Sequence, residues 1–169
     1  WDAYLNKEIV KAKISKYIRL HPKSCPMSFK ISGYYVNSIF ATLEAKEFGF
    51  DEAILLDYKG CVAEGPGENI FMVKKNKLFT PSLGSILPGI TRDSIIKIAQ
   101  DLKISVKEKN IKVEEIKSAD EAFFAGTAIE ICPISQIDNK KIKDGKIGPT
   151  TLEIKEYFER IVRGREKKY

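Results

Sequence analysis

Gly60-Cys61-Val62-Ala63-Glu64-Gly65-Pro66-Gly67-Glu68-Asn69-Ile70-Phe71 is the stretch on which the fold and chemistry of this chain turn. Apolar runs flank it, Ala53-Ile54-Leu55-Leu56 before and Ile70-Phe71-Met72-Val73 after. Both are short and rich in β-formers, which predicts buried strands. Between them the carboxylates Glu64 and Glu68 straddle Gly65, Pro66 and Gly67. Such a turn can hold a side chain at an unusual angle and admit a ligand to the main chain. Taken alone, the spacing equally fits a solvated hairpin loop.

Composition narrows the classes. A chain of 169 residues, 43% of them hydrophobic, is enough for one domain with its own core. The net charge of +6 comes from 29 basic and 23 acidic residues. Runs such as Lys107-Glu108-Lys109 mix the signs and read as a solvated face. No aromatic-studded basic motif accompanies them, so a nucleic-acid partner is not expected. Cys25, Cys61 and Cys132 are odd in number and far apart, and His21 is the one histidine. That argues against a metal site and a disulfide framework, and for a reducing cytoplasm. No run approaches the roughly 20 apolar residues of a membrane helix, and no signal peptide opens the chain. The start at Trp1, without Met, predicts trimming.

The remaining elements follow from local pattern. Trp1-Asp2-Ala3-Tyr4-Leu5 reads as a docking segment. Val10 to Ile14 alternates apolar residues with lysine, the mark of a half-buried strand. Pro22 and Pro26 frame a loop leading to Lys30. Val36, Ile39, Phe40 and Leu43 recur at helical spacing up to Gly49, predicting a helix that starts just after Gly33-Tyr34-Tyr35 and stops at Gly49. Lys75-Asn76 turns the chain into Lys77–Thr80. Thr91 is expected to cap a helix carrying Ile95, Ile98, Ala99 and Leu102. Short elements follow at Ile104–Val106 and Val113–Ser118, then strands at Ala122–Ala125 and Ile129–Ile137. A last helix carries Ile154, Phe158 and Ile161, and the tail from Arg163 to Tyr169 is expected to fray. With no repeat or linker, residues 1–169 read as one α+β domain.

Four blocks in order carry a further signal: Lys30-Ile31-Ser32-Gly33-Tyr34-Tyr35-Val36-Asn37-Ser38, Glu64-Gly65-Pro66-Gly67-Glu68-Asn69, Leu87-Pro88-Gly89-Ile90-Thr91-Arg92-Asp93, and Gly126-Thr127-Ala128-Ile129-Glu130. Together they resemble the class IV pyridoxal-phosphate aminotransferases, and within that class the branched-chain amino acid aminotransferases. The resemblance runs from about Trp1 to Gly164 and implies the large-domain pseudo-barrel of the D-amino acid aminotransferase-like fold. It implies that this is the C-terminal, cofactor-binding domain only, without the family's small N-terminal domain.

For the site, the resemblance implies pyridoxal 5'-phosphate held as a Schiff base on Lys30. Met27, Phe29 and Ile31 around Lys30 suggest an apolar setting that would free its amine. Glu64 would keep the ring nitrogen protonated, Tyr35 would bond the phenolic oxygen, and Ile90, Thr91 and Thr127 would hold the phosphate. Thr127 and Ala128 would cradle the substrate carboxylate. Glu68 and Asn69 would brace the turn, Arg92 and Asp93 would pair with each other, and Arg19 is a further candidate for the phosphate.

The implied activity is transamination between leucine, isoleucine or valine and 2-oxoglutarate, in a homo-oligomer with amino acids and 2-oxo acids as partners. D-amino acid aminotransferase and aminodeoxychorismate lyase are the alternatives within the class. A domain that is inactive alone, or a basic RNA-binding module, are the alternatives outside it.

Overall fold

The computed structural model describes residues 7–166, so the docking expected of Trp1–Leu5 and the end of the basic tail lie outside the described residues. Within the described residues the chain forms nine strands and four α-helices. They run β1 Val10–Ile18, α1 Tyr35–Glu47, β2 Glu52–Leu56, β3 Val62–Glu64, β4 Asn69–Lys74, β5 Lys77–Thr80, α2 Ile90–Asp101, β6 Val106–Glu108, α3 Val113–Lys117, β7 Glu121–Gly126, β8 Glu130–Ile137, β9 Lys140–Lys141 and α4 Pro149–Val162.

One continuous sheet runs in the order β3-β2-β1-β8-β7-β4-β5-β6, with β9 beside β8. Strand β8 is the corner. Its first half pairs with β7 as far as Phe123↔Pro133, and its second half pairs with β1 from Val10↔Ile134 onward. Pro133 has no N–H to give a ladder, so the switch of partner falls where a hydrogen bond is already missing. At the far edges the sheet closes on itself: the Val62 N–H donates to the Ile111 carbonyl at 2.8 Å, joining β3 to the segment after β6. Closure removes exposed edges. The expected α+β pseudo-barrel is thus what the chain forms.

Burial on both faces explains the unbroken apolar runs. In β4, Ile70 and Met72 enter the barrel interior with Ile54, Ile111, Phe124 and Ile134, while Phe71 and Val73 pack outward under α2 and α4. Phe71 pairs with Phe123 of β7 in register, rings stacked at 5.1 Å. Aromatic pairs add about 0.5–1.5 kcal/mol beyond burial. Ile95, Ile98 and Ala99 of α2, with Ile154 and Phe158 of α4, complete that outer layer. Among the described residues, no helix is long and apolar enough to cross a membrane.

The structure changes several local expectations. The stretch between the central strands is no hairpin: β3 pairs with β2, β4 pairs with β5 and β7, and the Gly65–Glu68 loop crosses between them. Helix α1 forms where expected, but its periodic apolar positions are not its buried face. Val36, Ile39, Phe40 and Leu43 are more than half exposed, and the buried face is Ser38, Ala41, Glu44 and Ala45. Small residues let α1 lie close on Ala53 and Leu55 of β2, and Glu44 is satisfied there by the Ser15 hydroxyl at 2.6 Å.

Thr91 is not a cap. Gly89 is the N-cap of α2, and Thr91 sits buried in the first turn. Nor does Arg92 pair with Asp93: Arg92 meets Glu108 at 2.6 Å and Asp93 meets Lys97 at 2.8 Å. Neighbours in sequence on a helix point about 100° apart, which leaves each free to find a partner elsewhere. The start of the tail is ordered by hydrogen bonds. Arg165 N donates to Arg160 O at 2.7 Å and Gly164 N to Ile161 O at 2.9 Å, with Gly164 at φ +64°. This is a Schellman closure of α4.

Candidate active site

Four pieces of chain converge on one cavity beside the Gly65–Glu68 loop: Arg19 just after β1, residues between Met27 and Ser38, the stretch from Glu64 to Asn69, and Leu87. Lys30, Tyr35 and Glu64, remote in sequence, therefore line the same space. Lys30 sits at the end of the proline-framed loop, one short 3-10 turn before α1. Met27, Phe29 and Ile31 line the cavity with Lys30 as an apolar setting would have it, but only Met27 is buried; Lys30, Phe29 and Ile31 are exposed. Tyr35 is the first residue of α1.

Glu64 is the fixed point. It ends β3 and is 2% exposed. Oε1 accepts from Arg19 Nε at 2.7 Å, and Oε2 accepts from Asn69 Nδ2 at 3.0 Å and from the Leu87 N–H at 3.1 Å. Burial pushes its carboxyl up to about 7, while the Arg19 charge and these hydrogen bonds pull it down. Arg19, weighed above as a phosphate ligand, is instead committed to Glu64 and to the Ser38 hydroxyl at 3.2 Å. Ser38 in turn donates to the Pro66 carbonyl at 2.6 Å, tying α1 to the loop.

Asn69 joins the blocks, as its amide spans Glu64 and the Leu87 carbonyl at 2.9 Å. Gly89 lies so close that a Cβ there would be 2.3 Å from Asn69 Oδ1, which places the start of α2 against the first residue of β4. At the other end, a Cβ on Gly126 would be 3.3 Å from the Gly67 carbonyl, so the β7–β8 turn abuts the loop. Ile90, Thr91, Thr127 and Ala128 flank the cavity through these contacts but are not among its lining residues. Ile90 is 86% exposed, and Thr127 and Ala128 are exposed.

Sequence reasoning missed Ser38 and the structural use of Arg19. Their partners lie 28 and 45 residues away, so no local pattern marks them. The backbone N–H of Leu87 left no signal at all.

A cofactor can be tested against this geometry. An ionised carboxylate offers about four acceptor positions. Three on Glu64 are used, which leaves one for a further donor such as a protonated ring nitrogen. The N-terminus of α2 has no side-chain cap. Both features fit pyridoxal phosphate.

The family model described as Amino-transferase class IV matches residues 1–137. A probable branched-chain-amino-acid aminotransferase of Aquifex aeolicus is 45% identical over 95% of this chain and 52% of its own length. The crystal structure of the branched-chain aminotransferase of Thermoproteus uzoniensis with norvaline superposes with a TM-score of 0.95 at 48% identity, over 99% of this chain and 56% of that one. The branched-chain amino acid aminotransferase of Thermobaculum terrenum in its PLP-form superposes at 0.93 and 38% identity, over 98% and 55%. The chain thus spans about half the length of the relatives it matches.

Proposed function

We propose, from the premise that this chain belongs to the class IV aminotransferase family, that its protein exchanges amino groups between branched-chain amino acids and 2-oxoglutarate with pyridoxal 5'-phosphate. Residues 1–169 are then a single large, cofactor-binding domain. Turnover is assigned to the complete protein, and the domain alone is expected to be weak or inactive. One observation carries the reading: Lys30 and the buried, Arg19-paired Glu64 line one cavity.

When bound, the cofactor supplies the electron sink for charge arising at the substrate's α-carbon. Glu64 would hold a proton on the ring nitrogen through its remaining acceptor position. Lys30 Nζ would attach the cofactor and carry the proton to and from the substrate α-carbon, a step worth roughly 10²–10⁴-fold. Tyr35 would donate to the phenolic oxygen. The Ile90 and Thr91 N–H groups at the uncapped start of α2, with Thr127, would bind the phosphate, where the helix end favours an anion. Thr127 and Ala128 would receive the substrate carboxylate.

The exposed apolar face of α1, with Val36, Ile39, Phe40 and Leu43, supports a homo-oligomer. The three free cysteines support a reducing, cytoplasmic setting. The test is to incubate the protein with pyridoxal phosphate, reduce with borohydride and map the peptides. Label on Lys30, abolished in Lys30→Ala, supports the assignment; label on another lysine overturns it.

A further inference from the structure

Glu52 and Glu68 are two buried carboxyls to which the chemistry described above gives no part, although Glu68 lines the candidate site. Glu52 is 0% exposed and Glu68 is 4% exposed. Neither has an ion-pair partner among the described residues. Glu52 Oε1 accepts from Thr42 Oγ1 at 3.0 Å and from the Ala53 N–H at 2.9 Å, whereas its Oε2 is buried with no donor among the described residues. Glu68 Oε2 accepts one N–H, from Gly67 at 3.1 Å. An unpaired buried carboxylate costs several kcal/mol, and a group so placed takes up a proton instead.

A shared cavity links the two. Leu55 of β2 stands opposite Glu64, the last residue of β3, and the Gly65 N–H then donates to the Glu68 carbonyl at 2.7 Å, which brings Glu68 back beside that end. Thr42, the donor to Glu52, faces the same cavity as Pro66 and Gly67. The charged and titratable groups acting on Glu68 are Glu52 from β2, Glu64 from β3 and Arg19 beyond β1, and Glu68 in turn acts on Cys132 of β8. Of the charges on Glu68, Glu52 weighs most. Glu52 itself is faced by Lys46 and Asp51.

We propose that Glu52 and Glu68 hold one proton between them at neutral pH, and that Glu68 is a positioning residue which closes the loop behind Glu64 as a neutral acid. The proton removes a negative charge that would otherwise weigh on Glu64. That consequence rests on the transaminase reading; the proton itself does not. Burial and the Glu52 charge raise the Glu68 carboxyl to about 8, in agreement with the geometry. A carboxyl raised above its unfolded value adds stability that is complete below the unfolded value near 4.5 and is lost as pH rises through about 8. One such proton changes the unfolding constant by up to about tenfold per pH unit inside that window.

The experiment uses the intact protein without cofactor, so its outcome is independent of the transaminase reading. The infrared difference spectrum of wild type minus Glu68→Gln at neutral pH should show the carbonyl band of a protonated carboxylic acid. The unfolding constant of Glu68→Gln should depend on pH by one proton less than that of wild type. Should Glu68→Gln fail to fold, Glu52→Gln serves: removing the neighbouring charge should move the upper end of the window to lower pH. An absent band, or an unchanged pH dependence in the folded variant, overturns the proposal.

Discussion

Arg19 Nε and Glu64 Oε1 meet at 2.7 Å, with side chains only 9% and 3% exposed. The pair welds the end of β1 to the end of β3 across the intervening β2, and both partners line the candidate site. Removing one partner strands a buried charge, whereas removing both leaves only a polar hole.

Arg19→Ala should therefore cost about 3–5 kcal/mol, read as a lower urea midpoint. The double change Arg19→Met with Glu64→Gln should lose less than Arg19→Ala alone. Equal losses would mean that packing of the arginine stem, rather than charge, holds the junction.

Glu64 supplies a prediction in pH. Its carboxyl is raised from 4.5 to about 7, so the stability it contributes is complete below 4.5 and is lost as pH rises through about 7. One proton is worth at most about 1.4 kcal/mol per pH unit in that window. Thermal unfolding across the window should show a flatter profile for Glu64→Gln than for wild type. Slope is the readout, because the variant also loses its ion pair. Parallel profiles would show that Glu64 titrates in the folded protein as it does in the unfolded chain.

Helix α4 is capped from outside itself. Glu121 of β7 accepts from the Thr150 N–H at 3.1 Å, the Thr151 N–H at 2.6 Å and the Thr151 hydroxyl at 2.7 Å. Glu121→Ala should cost about 0.5–2 kcal/mol for the cap and more for the orphaned buried donors. Gly148→Ala should reproduce much of that loss, since its Cβ would lie 2.1 Å from the Glu121 carboxyl carbon. A Gly148→Ala protein as stable as wild type would show that Glu121 caps equally well from another rotamer.

Thr91 tests the phosphate reading. Thr91→Ser keeps the hydroxyl and should bind pyridoxal phosphate nearly as wild type. Thr91→Ala loses a donor to a charged group, worth about 1.5–3 kcal/mol, so affinity should fall about tenfold or more. Titration of cofactor absorbance reads both. Equal binding by the two variants would reduce Thr91 to a packing residue in the first turn of α2.

What the sequence determined by itself is local or ordered. Strand runs such as Ile70–Val73, the Lys75-Asn76 turn and the helices beginning at Tyr35 and Ile90 follow from side-chain period and turn chemistry acting over a few residues. The ordered blocks around Lys30, Glu64, Thr91 and Thr127 carried the family. Tertiary structure alone decided which strand pairs with which, because a Gly-Pro-Gly loop can close a hairpin or cross a barrel with the same letters. It also decided which face of α1 is buried, since small residues and one satisfied glutamate allow closer packing than the larger apolar side chains on its other face. And it assigned Arg19 to Glu64, because an ion pair spanning 45 residues depends on where β1 and β3 come to rest, and nothing in the local chain records that.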